Sequence, residues 1–235
     1  MKTSNTNREF QPSKKTGLWR IGYCVQLFLG MGLALGMTGC ALTEDNIAPA
    51  YIPQSNVQQL AGASNVSVNV TMADEREVMV CVGKKLNGYG MEMAPIVATN
   101  DVAELTRKAI ETELLHRGFV VGTSNTVIVA GELHRFYNEF KSGFFAGDAV
   151  AEVSFNIVVK NPAGDIVYDK FVSGQGIEQN IQLTSGDNAC LALNAALKNA
   201  VETLFDHASF TEAIFKAAHP TETNNVLPNA APPSK

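Results

Sequence analysis

Histidine, the commonest metal ligand in proteins, is scarce in this sequence. Its 235 residues include four histidines, none with a second ligand at a spacing that would bring both to one metal: His116, His134, His207 and His219. Met91 and Met93 could suggest copper(I), but two thioethers without further soft ligands favour ordinary hydrophobic contacts. We therefore expect no metal and no cofactor.

Motifs for nucleotide binding and nucleophilic catalysis are also missing. The glycine-rich segment 83–90 lacks the Gly-Lys-Ser/Thr sequence with which a P-loop holds phosphate and magnesium, so we interpret it as a flexible loop. Ser173 is not in a nucleophile elbow, because Phe171 stands where that motif requires glycine. No acid/base pair or triad is recognisable, and the sequence predicts that the protein is not an enzyme.

Charge is absent from residues 21–39, the one long apolar stretch of the chain. It follows three basic residues and leads into the sequence Met37-Thr38-Gly39-Cys40. A basic region, an apolar region and small residues before a cleavage point are typical of a secretory signal peptide. The thiol directly after these small residues indicates a lipoprotein. We expect residues 1–39 to be removed and Cys40 to become the lipidated first residue of the mature chain.

An uncleaved membrane anchor is the alternative interpretation of the same stretch, since its nineteen residues come close to spanning a bilayer. Several glycines weaken such a helix: Gly22, Gly30, Gly32, Gly36 and Gly39. Ala41 follows the cysteine at the position where aspartate would act as a retention signal. We therefore expect the protein on the periplasmic face of the outer membrane.

Basic residues are few once the leader is removed. The full chain has a formal net charge of −5, and cleavage leaves 13 of its 18 basic and 22 of its 23 acidic residues, a net charge of −9. Nucleic acid and anionic lipid surfaces both require a basic footprint, so neither is an expected partner. The acyl chains on Cys40 are the expected membrane anchor.

Proline and polar residues mark both ends of the mature chain. Residues 40–65 contain Pro49 and Pro53 among Asn, Gln and Ser, and predict a lipidated flexible tether. Residues 219–235 contain four prolines and few large apolar groups, and predict a disordered tail. The remaining segment, residues 66–218, is long enough for one domain with a buried core.

Hydrophobic periodicity predicts that this domain is α+β. Strands are expected over residues 66–71, 78–82, 126–136, 149–160 and 166–177, and helices over 101–117, 187–205 and 209–218. Asp101 has capping-box spacing to Glu104, and Gly118 can end the first helix in a left-handed conformation. Small alanines should let the second helix lie close to the sheet.

The order of these elements predicts a two-layer sandwich. We expect a mixed or antiparallel sheet of about five strands, with two or three helices on one face. The other sheet face carries polar residues, and it is either solvated or a docking surface for a partner.

The chain resembles a known family in the segment DVAELTRKAIETELLHRGFVVG, residues 101–122, and in the helices over residues 193–215. Both are similar to the YajG-type lipoproteins of proteobacteria, and the resemblance runs from the Cys40 lipobox through most of residues 66–217. It implies an uncharacterised envelope lipoprotein and supplies no active site. The chain departs from that family in Cys81, Cys190 and the proline-rich tail.

Five aromatic residues crowd the turn expected between the first two strands of the three-strand meander: Phe136, Tyr137, Phe140, Phe144 and Phe145. They can pack on the sheet and over a helix end, as exposed-looking apolar clusters commonly do. They can also form a candidate interaction loop, since aromatics rimmed by polar groups are typical interface anchors. The sequence leaves both interpretations open.

Cys81 and Cys190 are the only thiols left after export if Cys40 is acylated, because Cys24 lies in the leader. In the oxidising periplasm such a pair can bond. A disulfide would close a loop of roughly 110 residues and add about 4 to 5 kcal/mol in the chain-entropy model, provided that the two α-carbons lie within about 7 Å. The alternative is two small buried side chains.

Three classes of function follow, and the first agrees best with these patterns. It is a non-enzymatic envelope lipoprotein that binds a protein or another envelope ligand through a sheet edge or the aromatic loop. The second is an auxiliary lipoprotein subunit of an envelope lipid or solute transport complex. The third, an envelope hydrolase, would need two close carboxylates with perturbed pKa values in a deep pocket.

The role of Cys40 is directly testable. Metabolic labelling with a palmitate analogue should mark the wild type, whereas Cys40→Ser should stay unlabelled and accumulate as a precursor, because it lacks the sulfur that carries the lipid. The measurement is in-gel detection of the label alongside the mass of the protein. Label that persists in Cys40→Ser would contradict the lipoprotein assignment.

Overall fold

A computed structural model describes residues 43–122, 127–141, 143 and 146–219 of the chain. Within these residues the chain forms eight strands and three α-helices. In chain order they are β1 (Asp45–Ile47), β2 (Ser67–Asp74), β3 (Gly83–Leu86), β4 (Glu92–Ala98), α1 (Val102–His116), β5 (Val120–Val121), β6 (Val127–Lys141), β7 (Gly147–Lys160), β8 (Ile166–Ile181), α2 (Gly186–Asp206) and α3 (Ala208–Ala218).

The long strand β6 organises one mixed, open sheet. On one side it pairs antiparallel with β7, which pairs antiparallel with β8. On the other side of β6, β2 runs parallel to its first half. β3 also pairs parallel with β6, farther along at Asn138. Beyond β2 lies β5, and beyond β3 lie β4 and then β1. The sheet therefore branches beside β6.

Alternation along β7 explains why one face of the sheet is buried. Every second residue is apolar and fully buried: Ala149, Ala151, Val153, Phe155, Ile157 and Val159. The residues between them include Glu152, Asn156 and Lys160, which are only partly buried. Since successive side chains of a strand point to opposite faces, the helices cover one face and leave the other open. The predicted helix layer on one face is confirmed.

Helix α2 lies on β8 with almost no side chain between the two backbones. A β-carbon added at Gly174 would lie 2.1 Å from the Ala200 nitrogen, and one added at Gly176 would lie 2.1 Å from the Ala192 oxygen. Ala196 is fully buried between these contacts. Glycine on the strand and alanine on the helix are what this close approach requires.

Both ends of α1 follow the sequence prediction. The Asp101 side chain accepts hydrogen bonds from the backbone amides of Ala103 and Glu104, which caps the helix. Gly118 has a φ of 90°, and the amide of Phe119 donates to the carbonyl of Leu114. The chain therefore folds back after α1 and buries Phe119 against α3.

The predicted number of strands is wrong. Residues 78–82 were expected to form a strand, but they form none, and Val80 is 82% exposed. The strand is β3 instead, in the glycine-rich segment 83–90 that was expected to be a flexible loop. Its partner β4 and the short strands β1 and β5 were not predicted either. β1 and β5 are set by pairing with strands distant in sequence, which local alternation does not reveal, and β4 forms a hairpin with the unpredicted β3.

The predicted tether also needs correction, because residues 45–65 pack against the domain. β1 pairs with β4, and Ile47, Pro49 and Ala63 are buried. Proline and polar residues suggested a flexible spacer, yet this segment crosses the helix layer as an ordered strap. The folded unit therefore begins at about residue 43 rather than at residue 66.

The contact between α2 and β8 should not tolerate a single added methyl group. Gly174→Ala would push the new β-carbon into the backbone of α2, and we expect it to lower the free energy of unfolding by about 1 to 3 kcal/mol. Gly88→Ala is the control, since nothing lies within 4 Å of its added β-carbon. Urea denaturation measures both variants. Equal stability of the two variants would contradict the close packing.

Candidate functional site

The N-terminal strand is fixed by one carboxylate. Asp45 in β1 accepts a hydrogen bond of 2.8 Å from the ammonium of Lys85 and one of 2.7 Å from the backbone amide of Gly186, the first residue of α2. The Lys85 side chain is only 4% exposed. Burial acts to raise the pKa of Asp45, but the bonds from Lys85 and Gly186 outweigh it and hold this pKa below its usual value.

A second polar network holds the strap against α1. The Glu113 carboxylate, fully buried, accepts hydrogen bonds from the Tyr51 hydroxyl at 2.8 Å and from the backbone amide of Gln54 at 2.9 Å. Arg117 donates to the same carboxylate at 2.6 Å, and its guanidinium lies 4.0 Å from the ring centroid of Phe205. Burial and the bond to Glu113 raise the pKa of Tyr51. The network fixes the strap and leaves the Glu113 charge compensated.

An open cleft of about 530 Å³ lies beside this network, between the strap and the helices. Its charged side chains are Arg117, Lys198 and Glu202. Arg117 is bonded to Glu113, and Lys198 pairs with Glu202 at 3.5 Å. Because these charges neutralise one another, the cleft has the chemistry of a structural junction rather than of a reactive pocket.

The open sheet face formed by β6, β7 and β8 is different, because it exposes aromatic groups. His134 and Phe171 stack with ring centroids 6.2 Å apart, and the Arg135 guanidinium lies 5.5 Å from the ring centroid of Tyr137. Phe171 is 61% exposed. We call these four residues the aromatic patch.

Acidic side chains hold the arginine of the aromatic patch in place. Arg135 contacts the Glu139 carboxylate at 2.6 Å and the Glu152 carboxylate at 3.1 Å. Glu152 also accepts a hydrogen bond of 3.2 Å from the Ser173 hydroxyl. The side chain of Arg135 nevertheless stays 40% exposed. The patch is therefore preordered and accessible to a partner.

The predicted interaction loop is not brought together as one surface within the described residues. Phe136 and Phe140 are buried on the helix-covered face and belong to the core. Tyr137 lies on the open face, opposite Glu152 of β7, because neighbouring residues of a strand alternate between faces. Phe144 and Phe145 lie outside the described residues. β6 also continues to Lys141, beyond the expected end of that strand at Phe136.

The two remaining cysteines are free thiols in the structure. Cys81 is buried just before β3, and Cys190 is half-buried in the first turns of α2, beside the core. Burial raises the pKa of the Cys190 thiol, and the nearby Asp187 acts in the same direction. A thiol kept protonated in this way is a poor nucleophile.

The other candidate positions stay separate from one another. In the parts of the chain that the structure describes, no three His, Cys, Asp or Glu side chains are arranged to hold a metal ion. Met93 accepts a weak hydrogen bond from Asn87, 3.6 Å away in the turn between β3 and β4. Ser173 donates to Glu152 rather than to a histidine. These positions therefore supply no catalytic constellation.

The groups that fix the strap were not predicted from the sequence. Glu113 occupies a position on the buried side of α1, next to Ile110 and Leu114, and Arg117 follows at the i+4 spacing of an ion pair. A glutamate within an apolar stripe followed by an arginine is a readable signal of a buried pair. Asp45 and Lys85 carry no such signal, because 40 residues separate them.

Comparison with known proteins identifies the class. Residues 53–214 match a family described as uncharacterized lipoprotein. The match covers more than half of the chain, so the chain belongs to this lipoprotein family. As a member, it is a membrane-anchored protein of the cell envelope. No curated protein matches the chain.

Several solved structures are similar at low sequence identity. A Xanthomonas campestris protein of the DUF330 family is 9% identical, with 74% of this chain and 95% of that chain covered and a TM-score of 0.45. A minor lipoprotein from Acinetobacter baumannii is 5% identical, with coverage of 62% and 94% and a TM-score of 0.40. At these scores neither likeness bears on function.

The described residues contain no helix that is both long and apolar enough to cross a membrane.

The link at Asp45 predicts how stability depends on pH. Because its folded-state pKa lies below the unfolded value of about 3.9, the carboxylate stabilises the fold above that pH, and this contribution is lost as the pH falls through the folded-state pKa. We expect Asp45→Asn to be less stable than wild type near neutral pH, with the difference shrinking in acid. Urea denaturation at a series of pH values measures it. A difference that is constant with pH would contradict the link.

Proposed function

We propose that the protein is a non-enzymatic, YajG-type lipoprotein anchored through Cys40 on the periplasmic face of the outer membrane, and that it binds a protein partner. The observation that carries the binding proposal is the aromatic patch on the open sheet face. The anchoring proposal is supported by membership in a lipoprotein family and by the lipobox sequence before Cys40.

The composition of the aromatic patch favours a protein as the partner. Aromatic residues and arginine are enriched in the centres of protein interfaces, where they contribute most of the binding energy. Arg135 and Tyr137 are already stacked and Arg135 is held by two carboxylates, so binding would cost little side-chain entropy. Ile177 of β8, 46% exposed, extends the apolar surface along the same face.

The charge of the open face indicates the charge of the partner's surface. Acidic side chains outnumber basic ones along β6, β7 and β8 on this face, where Glu132, Glu139, Asp148, Glu152 and Asp169 stand against Arg135, Lys141 and Lys160. An acidic rim around an aromatic centre complements a basic protein surface. It also disfavours phosphate-bearing ligands, as the net charge of the mature chain does.

In-cell photocrosslinking tests the binding proposal. A photoreactive amino acid replaces Phe171 or Ile177 on the open face, and Leu191, 53% exposed on α2, serves as the matched position in the helix layer. We expect both open-face positions to yield the same crosslinked adduct. Mass spectrometry of that adduct should identify the partner as an envelope protein. Position 191 should not yield it.

Charge reversal makes the test specific to the open face. Glu132→Lys should weaken the adduct, since it opposes a basic partner, whereas Glu212→Lys on α3 changes an acidic residue that is also exposed and should not. Neither surface change should alter the free energy of unfolding by more than about 0.5 kcal/mol. Equal adducts from positions 171, 177 and 191, or none from the open face, would contradict the proposal.

A further inference from the structure

Several elements begin or end at one end of the sheet. It is the end at which the N-terminal strand β1 begins. β3 runs parallel to β6 with Gly83 opposite Asn138, so the turn after β3 lies beyond the C-terminal end of β6. Ile181, the last residue of β8, lies opposite Gly147, the first residue of β7, at this same end. The sheet therefore has one end that gathers the β3–β4 turn and the loop before α2.

Hydrogen bonds join that loop to that turn. The Thr184 hydroxyl accepts from the amide of Leu86 at 3.0 Å and donates to the carbonyl of the same residue at 2.8 Å. Leu183, beside Thr184, is therefore held next to the β3–β4 turn. Asp45 reaches the same region, since its carboxylate accepts from the amide of Gly186.

Large apolar side chains are exposed at this end. Tyr89 is 91% exposed, Met91 is 57% exposed and Leu183 is 74% exposed. We call these three residues the apolar tip. They lie on two segments that Thr184 fastens together, so they form one end surface rather than three unrelated positions.

The length of chain before β1 brings the proposed lipid anchor to this end. β1 runs parallel to β4 with Asp45 opposite Ile96, so its N-terminal end faces the turn at which β4 begins. Cys40 is five residues before Asp45, which limits the separation of their α-carbons to at most about 18 Å. From Ile96 back to Glu92, beside the apolar tip, β4 spans roughly 13 Å. Acyl chains on Cys40 thus hold the membrane within reach of the tip.

We propose that the apolar tip contacts the lipid bilayer directly and acts as a second membrane contact beside the acyl chains. This inference rests on the proposed anchoring at Cys40. Tyrosine is favoured at the interface between lipid headgroups and acyl chains, and methionine and leucine suit the apolar side of that interface. The domain would then stand on the membrane by its tip, with the opposite end of the sheet directed away.

Charge at this end indicates that the contact is apolar and does not depend on anionic lipid. Lys84 is bonded to Glu92 at 2.6 Å, and Lys85 is bonded to Asp45. The remaining charged side chains of this end are more acidic than basic: Glu44, Asp148 and Asp187 against Lys141. Zwitterionic lipid should therefore be sufficient for the contact.

The mature chain is well suited to a tryptophan test, because the one tryptophan of the sequence, Trp19, lies in the leader. Mature lipidated Tyr89→Trp and Leu183→Trp are reconstituted in phosphatidylcholine vesicles, with and without brominated acyl chains that quench tryptophan in contact with lipid. Ile166→Trp is the matched control, 60% exposed at the other end of β8. This strand of 16 residues separates the control from the tip by about 50 Å.

The expected result is a blue shift and a loss of emission in brominated vesicles for Tyr89→Trp and Leu183→Trp, and neither for Ile166→Trp. Adding phosphatidylglycerol should not change it. Tip tryptophans that emit as in water in the vesicle-bound protein would overturn the tip contact while leaving the anchor intact. Blue-shifted emission without bromine quenching would indicate a second copy of the chain on the tip and would also overturn it. If the protein isolated from cells carries no lipid on Cys40 and does not float with vesicles, both the anchor and the inference are overturned.

Discussion

The close contact between the backbones of β8 and α2 is the constraint on which the rest of the structure depends. Gly174 and Gly176 face Ala192, Ala196 and Ala200. These small residues let a 21-residue helix pack directly on the face of the edge strand β8. The same placement brings the first amide of α2 to the carboxylate of β1 and the later turns of α2 to the strap over α1. One pair of glycines therefore determines where the helix layer lies, and the helix layer determines which sheet face stays open.

The two sides of the sheet differ in how their polar groups are used. In the helix layer the charged groups that fix the strap are paired with one another, as in the network of Glu113 with Tyr51, Gln54 and Arg117. On the open face the arginine of the aromatic patch is also paired, yet it stays accessible beside exposed rings. Buried pairs of the first kind fix the structure, whereas exposed groups of the second kind can still gain contacts from a partner. This contrast is the physical basis for proposing a binding surface on the open face.

Local signals in the sequence were sufficient for the helices and the meander. Asp101, Gly118 and the apolar spacing of α1 gave the bounds of that helix to within a residue, and alternation gave most of β6, β7 and β8. The failures concern elements whose partners are distant in sequence. The strap was interpreted as a tether because its proline and polar residues give no hint of Glu113, about 60 residues later. The aromatic patch was missed for the same reason, since Phe171 meets His134 only across β7. Composition alone does not reveal such long-range pairings.

The link between Asp45 and Gly186 also ties the first strand of the folded chain to its C-terminal helices. The hairpins of β6, β7 and β8 join neighbouring segments, whereas the hydrogen bond between Gly186 and Asp45 joins residues 141 positions apart, and such long loops close slowly. The contact of β1 with α2 is thus among the last to form. Any process that delivers the chain from its N-terminus must therefore release the C-terminal helices before this contact can form.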